Sequence, residues 1–575
     1  MYCNVLSKLY ILLYNSEVIY ISFEDFMESD LFPDFALGMG VGYCQKDNIP
    51  KGYQYLMNYV SQNNNEKINS DFVYNILKNK LKEYKNDKKF EQAVCVCECI
   101  TKTIETDLWS NYDFWVDAAF CAKESNFSYL AFECYKRCLD FSGFDKDFYR
   151  IIGDILFFEL DDKVKSIYYY EKYLEYIKDN PYVYNILGHI YETVYKSEHI
   201  DKQLEYFQKA VDLQPDEPSF RKNLGLVAGR NGKIKLFKEN YETLLKLNHQ
   251  NGDYFDYACW AFKNKCFDIA YKYFWYRFYK EVAPTPYKNL SFKLWDKNKD
   301  LRNKILCLKY EQGFGDTIML SRFLPQFMQT APNLIVQVQE PLISLMQYNF
   351  PNIKFVSDKS EIIENNDYDY QFPMMELLPY LKITDKNMPL KDKYLDVDRK
   401  KTVEFAKKYI NNNKKLKVGV AYHGHPDYLG DNRDVPINLF ADIATVPNVE
   451  VYNFQLTNKN DFLSNEKCKE VIDLSPYLSD FEQTALGMKN MDIIISTDNV
   501  VLNLAGSMGL KTFGLFNYYS DYRWFAINEN DAGWYSSIEV YRAEKFDDWD
   551  NVMKNVIKNL SIIAKENSVK QKSNK

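Results

Sequence analysis

No stretch of this 575-residue chain is apolar over the roughly 18 residues that a membrane-spanning helix requires. No block of Lys and Arg occurs either. The 72 basic and 80 acidic residues give a net charge of −8 spread along the chain, which argues against nucleic acid as a partner. The 12 cysteines lack the spacing of a small disulfide scaffold, and in a chain of this size they point to a reducing compartment. "CVCEC" (Cys95, Cys97, Cys99) looks like a metal cluster, but in a helical stretch side chains at i and i+2 point to different faces. Cys134 and Cys138 share a face where a helical repeat takes small or apolar residues, so buried free thiols are expected. No carboxylate cluster has metal-ligand spacing. The apolar run "LYILLY" (9–14) is short, follows Lys8 with few other positive charges, and lacks a small-residue cleavage site. No leader and a cytoplasmic location are therefore expected.

What is present describes a globular chain: 46% hydrophobic and 26% charged residues, in a length that fits several domains. The 48 Tyr and 39 Phe, with many Asn and Lys, match the coding bias of an AT-rich genome and say little about function.

From about residue 30 to 280, strand-like alternation is almost absent. A small residue recurs instead, at Ala119, Gly153, Gly188, Gly225 and Ala258, at intervals of 34, 35, 37 and 33 residues. That period indicates stacked helix pairs, with the small residue placed where the partner helix crosses closely. An aromatic or alanine pattern follows in the second helix, as in Ala131, Tyr135 and Cys138, then Phe207 and Ala210 closed by Pro215, and later Ala270 and Phe274. The pattern resembles the tetratricopeptide repeat, most clearly over "NPYVYNILGHIYETVYKSEHIDKQLEYFQKAVDLQPDE" (180–217), which carries about three extra residues between its helices. Two weaker units are expected ahead of Ala119. Such an array presents a concave surface that commonly takes a protein or extended peptide; the plainer alternative is that it only supports the second half of the chain.

After "VAPTPYKNLSFKLWD" (282–296) the pattern changes. Short apolar runs ("KILCLKY", "LIVQVQE", "IKFVS", "YQFPM", "LKVGVAY", "VEVYNFQ", "DIIIST" and "KTFGLFN") alternate with amphipathic stretches, which predicts βαβ units and parallel sheets. The polar stretch 396–417 divides this region into two doubly wound halves across a cleft, with ligands expected beyond the carboxyl ends of strands. Three loops lie at such ends: "EQGFGDT" (311–317), "AYHGHPDYLGDNRDVP" (421–436) and "STDNVVLNLAGSMG" (496–509). In the third, Thr497 or Asp498 is expected to cap a helix opening near Asn499, whose N–H groups would favour an anion.

With "VIDLSPYLSDFEQTALGMKNMD" (471–492) and "DYRWFAINENDAGWYSSIEVYR" (521–542), these loops resemble the glycosyltransferase domain of the lipopolysaccharide heptosyltransferase family, in the version that comes after tetratricopeptide repeats in many bacterial proteins. The plan of array plus sugar transferase is also similar to the O-GlcNAc transferases. The expected architecture is α plus α/β. An N-terminal segment (1–29) precedes a tetratricopeptide-type α-solenoid (30–282) and a connector (283–300). Beyond it lie two Rossmann-like halves, 301–400 for the acceptor and 401–563 for the nucleotide-sugar, with a disordered tail (564–575).

The resemblance implies a GT-B fold, a nucleoside-diphosphate sugar as donor and a protein or glycan acceptor, with neither metal nor cofactor. Gly313 and Gly315, with Thr317 beside them, would let backbone approach sugar or phosphates. Asp316 matches the family's candidate catalytic base, and as an acid at a helix start it can equally be a cap. Arg433 matches a cationic position that stabilises the departing diphosphate; otherwise it is a surface Arg paired with Asp431 or Asp434. Asp498 matches the acid of the family's Asp-x-x-x-x-His pattern, with Asn499 and Val500 beside it and Gly506 further along the helix. The histidine position is Asn503, which can donate to a phosphate but carries no charge. One of His423 and His425 lines the donor pocket, or both are plain loop residues, and Gln455 could sit near the base. Trp524, Trp534 and Tyr535 match signature positions with a packing role.

Overall fold

The computed structural model describes residues 10–14, 17–21, 31–63, 66–105, 108–247, 250–279, 292–424, 433–524 and 533–573. Its packing divides into two compact units, residues 1–190 and 191–575.

The first unit holds an antiparallel hairpin of β1 (Tyr10–Tyr14) and β2 (Glu17–Ile21). Four helix pairs come next: Leu31–Gln45 with Ile49–Gln62, Asp71–Asn86 with Phe90–Thr103, Tyr112–Glu124 with Ser128–Cys138, and Asp147–Asp154 with Lys163–Tyr176. The recurring small residues sit where helices touch. A Cβ on Gly153 would lie 2.8 Å from the Tyr170 ring, and Ala119 is fully buried. Cys97, Cys99, Cys134 and Cys138 are buried free thiols, and Cys95 is half-buried.

The helix Pro181–Val194 spans the division, and the array continues through Ile200–Leu213, Pro218–Arg230, Ile234–Leu247, Asn251–Lys263 and Phe267–Tyr273. The break in packing therefore falls inside the array, not at 282–283 where the composition changes. The reason is a shared core: Tyr257, Phe262, Ala270 and Phe274 belong to one hydrophobic cluster with Leu306, Phe323 and Phe372. The expected connector joins that core too. Trp295 is buried with its ring 5.1 Å from Phe372 and 5.2 Å from Tyr380.

Two parallel sheets complete the second unit and make it a GT-B-like pair of Rossmann-like domains. The first contains β3 (Ile305–Lys309), β4 (Asn333–Gln337), β5 (Lys354–Val356) and β6 (Tyr370–Pro373) in the order β5-β4-β3-β6. The second contains β7 (Leu416–Ala421), β8 (Val449–Asn453), β9 (Ile472–Asp473), β10 (Ile493–Thr497), β11 (Thr512–Phe516) and β12 (Ile538–Arg542), in the order β12-β11-β10-β7-β8-β9. Most of these strands are near-continuous apolar runs because helices cover both faces. The edge strands of the second sheet are exceptions: β9 has two half-buried residues, and β12 exposes Glu539.

The carboxyl end is not a disordered tail from 564. A single helix runs Trp549–Ser573, and Trp549, Val552, Val556, Leu560 and Ala564 form a buried stripe against the second sheet. Helical spacing of these apolar residues carries the helix past 564, and its last turns extend beyond the packed stripe.

Each sheet has a point where strand order reverses. There β3 is flanked by β4 and β6, and β7 by β8 and β10, so that successive loops leave in opposite directions and open a crevice.

Candidate functional site

The crevice of the first sheet is filled by the repeat array. Glu311 lies just beyond β3 and Glu376 just beyond β6; both are buried, and both are paired to Arg277 from the last turn of the array. Arg277 Nε meets Glu311 Oε2 at 2.8 Å and Nη1 meets Glu376 Oε1 at 2.7 Å, while Lys297 Nζ reaches Glu376 Oε2 at 2.9 Å. Burial pushes the Glu311 carboxyl above its ordinary range, only partly offset by Arg277. Burial acts the same way on Glu376, but Arg277 and Lys297 outweigh it and hold that group down.

Beyond β3, Gln312 adopts the left-handed backbone with φ 49°, whereas Gly313 has an ordinary φ of −81°. The helix Phe314–Ser321 then begins. Asp316 sits at its third position, where its Oδ2 accepts the Gly313 N–H at 3.2 Å, so it does cap the helix. Its Oδ1 pairs with Arg523 of the second domain. Gly315 approaches protein, not open cleft: a Cβ there would lie 3.0 Å from Asn503 Nδ2 and 3.7 Å from Val500 Cα. Its missing side chain thus lets the glycine-turn helix touch the helix Val500–Ser507. Thr317 is buried and donates to Gln339 Oε1 at 2.9 Å.

From Asp316 the charges alternate across the cleft. Arg523 meets Asp521 through Nε–Oδ1 at 2.7 Å and Nη2–Oδ2 at 3.0 Å. Arg433 reaches Asp521 Oδ2 at 3.4 Å and Asp498 Oδ2 at 3.6 Å. Burial opposes ionisation of Asp521, but Arg523 and Arg433 overcome it and hold the carboxyl well below the usual range. Burial likewise opposes the charge on Arg523, and Asp316 and Asp521 more than restore it. Among the described residues Arg433 pairs with Asp498 and Asp521, from the loops after β10 and β11. Asp434 instead takes His423, whose Nδ1 lies 2.5 Å from its Oδ2. Arg433, Asp498, Phe516, Asn517, Ser520 and Asp521 line a small cleft at the strand ends.

Other expected ligand residues are held internally. Asn499, not Thr497 or Asp498, caps the helix Val500–Ser507: its Oδ1 accepts from Val501 N at 2.8 Å and Leu502 N at 3.3 Å. Asp498 is left to face Arg433. Asn503 accepts from the Tyr535 hydroxyl at 3.0 Å and donates to Asn499 O at 3.2 Å, which occupies both ends of its amide. Gly506 packs on Tyr535, where a Cβ would be 2.4 Å from the ring. Gln455 Oε1 accepts from Tyr422 N at 3.2 Å and His423 N at 3.1 Å, bracing the loop after β7. His423 Nε2 lies 2.9 Å from Asn458 Nδ2. His425 and Asp431 lie outside the described residues.

Sequence reasoning passed over Arg523, Asp521, Ser520 and Arg542. The available signal was charge inside the aromatic-rich stretch 518–542, where Trp524, Trp534 and Tyr535 are indeed buried. Among the described residues, no group of three or more His, Cys, Asp or Glu side chains is arranged to hold a metal ion, and no helix is long and apolar enough to cross a membrane.

No protein-family model matches the chain. The FlbA protein of Caulobacter vibrioides is 24% identical over 301 residues, 48% of this chain and 49% of FlbA, so the chain spans about half the length of the curated relative it matches. Among solved structures, the ADP-heptose LPS heptosyltransferase II of E. coli is 12% identical; the match covers 45% of this chain and 98% of that one, with a TM-score of 0.34. YrrB, a TPR protein with an unusual peptide-binding site, is 12% identical over 34% of this chain and 92% of its own, with a TM-score of 0.26. The fold assignment rests on the helix pairs and the strand orders.

Proposed function

We propose that the cleft between the two Rossmann-like domains transfers a sugar from a nucleoside-diphosphate sugar to a protein or glycan acceptor presented by the repeat array. The supporting observation is the alternating series Asp316, Arg523, Asp521, Arg433, Asp498, which joins the carboxyl-end loops of both sheets. Asp316 takes the proton of the acceptor hydroxyl, whose oxygen attacks the anomeric carbon as the bond to the diphosphate breaks. The nucleoside diphosphate leaves with the electron pair and meets the guanidiniums of the second domain. Both Asp316 oxygens are engaged, one by Arg523 and one by the Gly313 N–H, so Asp316 must leave Arg523 to reach an acceptor hydroxyl, and an arriving diphosphate competes for that cation. In this reading the enzyme needs no metal and no cofactor besides the donor, and it works in the cytoplasm.

The test is to incubate the full chain with nucleotide sugars and measure release of nucleoside diphosphate. Asp316→Asn should lower turnover by roughly 10²–10⁴-fold. Absence of release from every donor would sink the transferase reading.

A second reading, a non-catalytic tetratricopeptide scaffold, is favoured by Asn503, whose amide serves Tyr535 and Asn499 where the resembled family has a histidine. In that case Asp316→Asn and Arg433→Ala leave partner capture by the array unchanged.

A further inference from the structure

The cations of the second unit differ in how well they are matched. Arg277, Arg433 and Arg523 each face two carboxylates. Arg542, at the carboxyl end of β12, forms no ion pair among the described residues. Its Nη1 donates to the neutral Ser520 hydroxyl at 2.8 Å, its Nε is buried with no hydrogen-bond partner, and its guanidinium lies over the Phe516 ring at 5.3 Å. Burial lowers its pKa to about 10, and the Asp498 carboxylate only partly offsets that effect.

Ser520 is held from a second side by the repeat array. Lys263, itself buried, donates Nζ to Ser520 Oγ at 2.5 Å and to Ser520 O at 2.8 Å. With two cations donating to one hydroxyl oxygen, the hydroxyl proton remains to be given to an acceptor. Ser520 and Phe516 line the same small cleft as Asp498 and Arg433. An unmatched guanidinium drawn from water is costly, and a site that keeps one beside a hydroxyl donor is built for an anion.

We infer that Arg542, assisted by Ser520, binds the phosphate groups of the ligand in this cleft, the role that the sequence suggests for Arg433. Arg433 is already neutralised by Asp498 and Asp521, so an anion there must displace a carboxylate. At Arg542 it displaces none, because Nη1 holds a neutral hydroxyl and the buried Nε has no partner to give up. Lys263 makes the last repeat a structural support of this site. The inference rests on the transferase reading for the nucleoside attached to the phosphates, but not for the residue that holds them.

The experiment is calorimetric titration and thermal melting of the full chain with inorganic pyrophosphate, ADP and UDP, in the wild type and in Arg542→Gln, Ser520→Ala and Arg433→Gln. Arg542→Gln should weaken pyrophosphate by about tenfold or more, the loss of one charge-assisted contact. Its ligand-free melting temperature should hold or rise, because an unmatched buried charge has gone. Ser520→Ala should weaken binding less. Arg433→Gln should lower the ligand-free melting temperature, because it strips two acids of their partner.

Pyrophosphate binding that depends on Arg542, with no added gain from either nucleoside, would remove the nucleotide-sugar reading and keep the residue assignment. Undiminished pyrophosphate binding in Arg542→Gln would overturn the assignment. So would a wild type that binds none of the three probes, or a ligand-free Arg542→Gln that melts several degrees lower.

Discussion

Arg277 donates Nε to Glu311 Oε2 at 2.8 Å, with both side chains 2% exposed, and so plugs the crevice of the first sheet from the repeat array. A concave array was expected either to present an acceptor or to support the second half. In its last repeats it plainly supports. The array is built into the domain through Arg277 on Glu311 and Glu376, and through Lys263 on Ser520.

Removing Arg277 leaves two buried carboxylates with, among the described cations, only Lys297 paired to one of them. Arg277→Leu should cost about 3–5 kcal/mol at neutral pH, the penalty of breaking a buried pair by losing one partner. Both carboxyls would then have folded pKa values above their unfolded ones, so the folded state binds more protons as pH falls. Stability should therefore recover on acidification toward about pH 5. Urea unfolding at pH 7 and pH 5 checks this; a variant equally weak at both values would contradict it.

The glycines of the site make a second test. A methyl group on Gly506 meets the Tyr535 ring at 2.4 Å, while one on Gly315 meets the Asn503 amide at 3.0 Å. Gly506→Ala should cost about 1–3 kcal/mol from overpacking, and Gly315→Ala less, because a side-chain amide yields more readily than a packed ring. Thermal melts of the two variants rank them; the reverse order would mean that the interdomain contact is the tighter one.

These contacts show what could be read from the residues. The period of small residues from Ala119 to Ala258 marks helix crossings, since each is a steric demand visible in one residue. Apolar runs mark every central strand, because burial on both faces leaves no alternation to confuse. The edge strands β9 and β12 escape that signal, as does the helix beyond Ala564, whose last turns have little apolar content. At the site, Asp316, Arg433 and Asp498 do converge through the chain of charges. Asn503, Gly506, Gln455 and Thr317 are spent on hydrogen bonds or packing inside the protein. Which atoms a side chain spends on its own fold depends on partners far off in sequence: Gly315 meets Asn503, and Lys263 meets Ser520. No local spacing encodes those meetings.

Asp521 carries an acid-range prediction. Its folded carboxyl lies below the ordinary value of 3.8 because Arg523 and Arg433 outweigh burial. Its contribution to stability is therefore fully present above about pH 4 and is lost as pH falls through the folded value. Asp521→Asn should be less stable than wild type at pH 7, and the gap should narrow as pH drops below about 4. Denaturant midpoints at pH 7 and pH 3 decide it; a constant gap would mean that the carboxylate charge contributes nothing.

Whether the tie between Asp316 and Arg523 is energetically favourable decides how the cleft rests. Arg523 serves Asp521 with one edge and Asp316 with another nitrogen, a division of labour that a single ammonium cannot reproduce. A double-mutant cycle of Asp316→Asn and Arg523→Lys should therefore show coupling of about 1–3 kcal/mol, since the two groups meet directly and are largely buried. Coupling of that size would mean that the base is restrained until an anion draws Arg523 away, and turnover should then rise with diphosphate-donor occupancy more steeply than binding alone requires. Additivity within about 0.5 kcal/mol would mean that Asp316 is free from the outset, and its hydrogen bond to Gly313 would be the only constraint on its position.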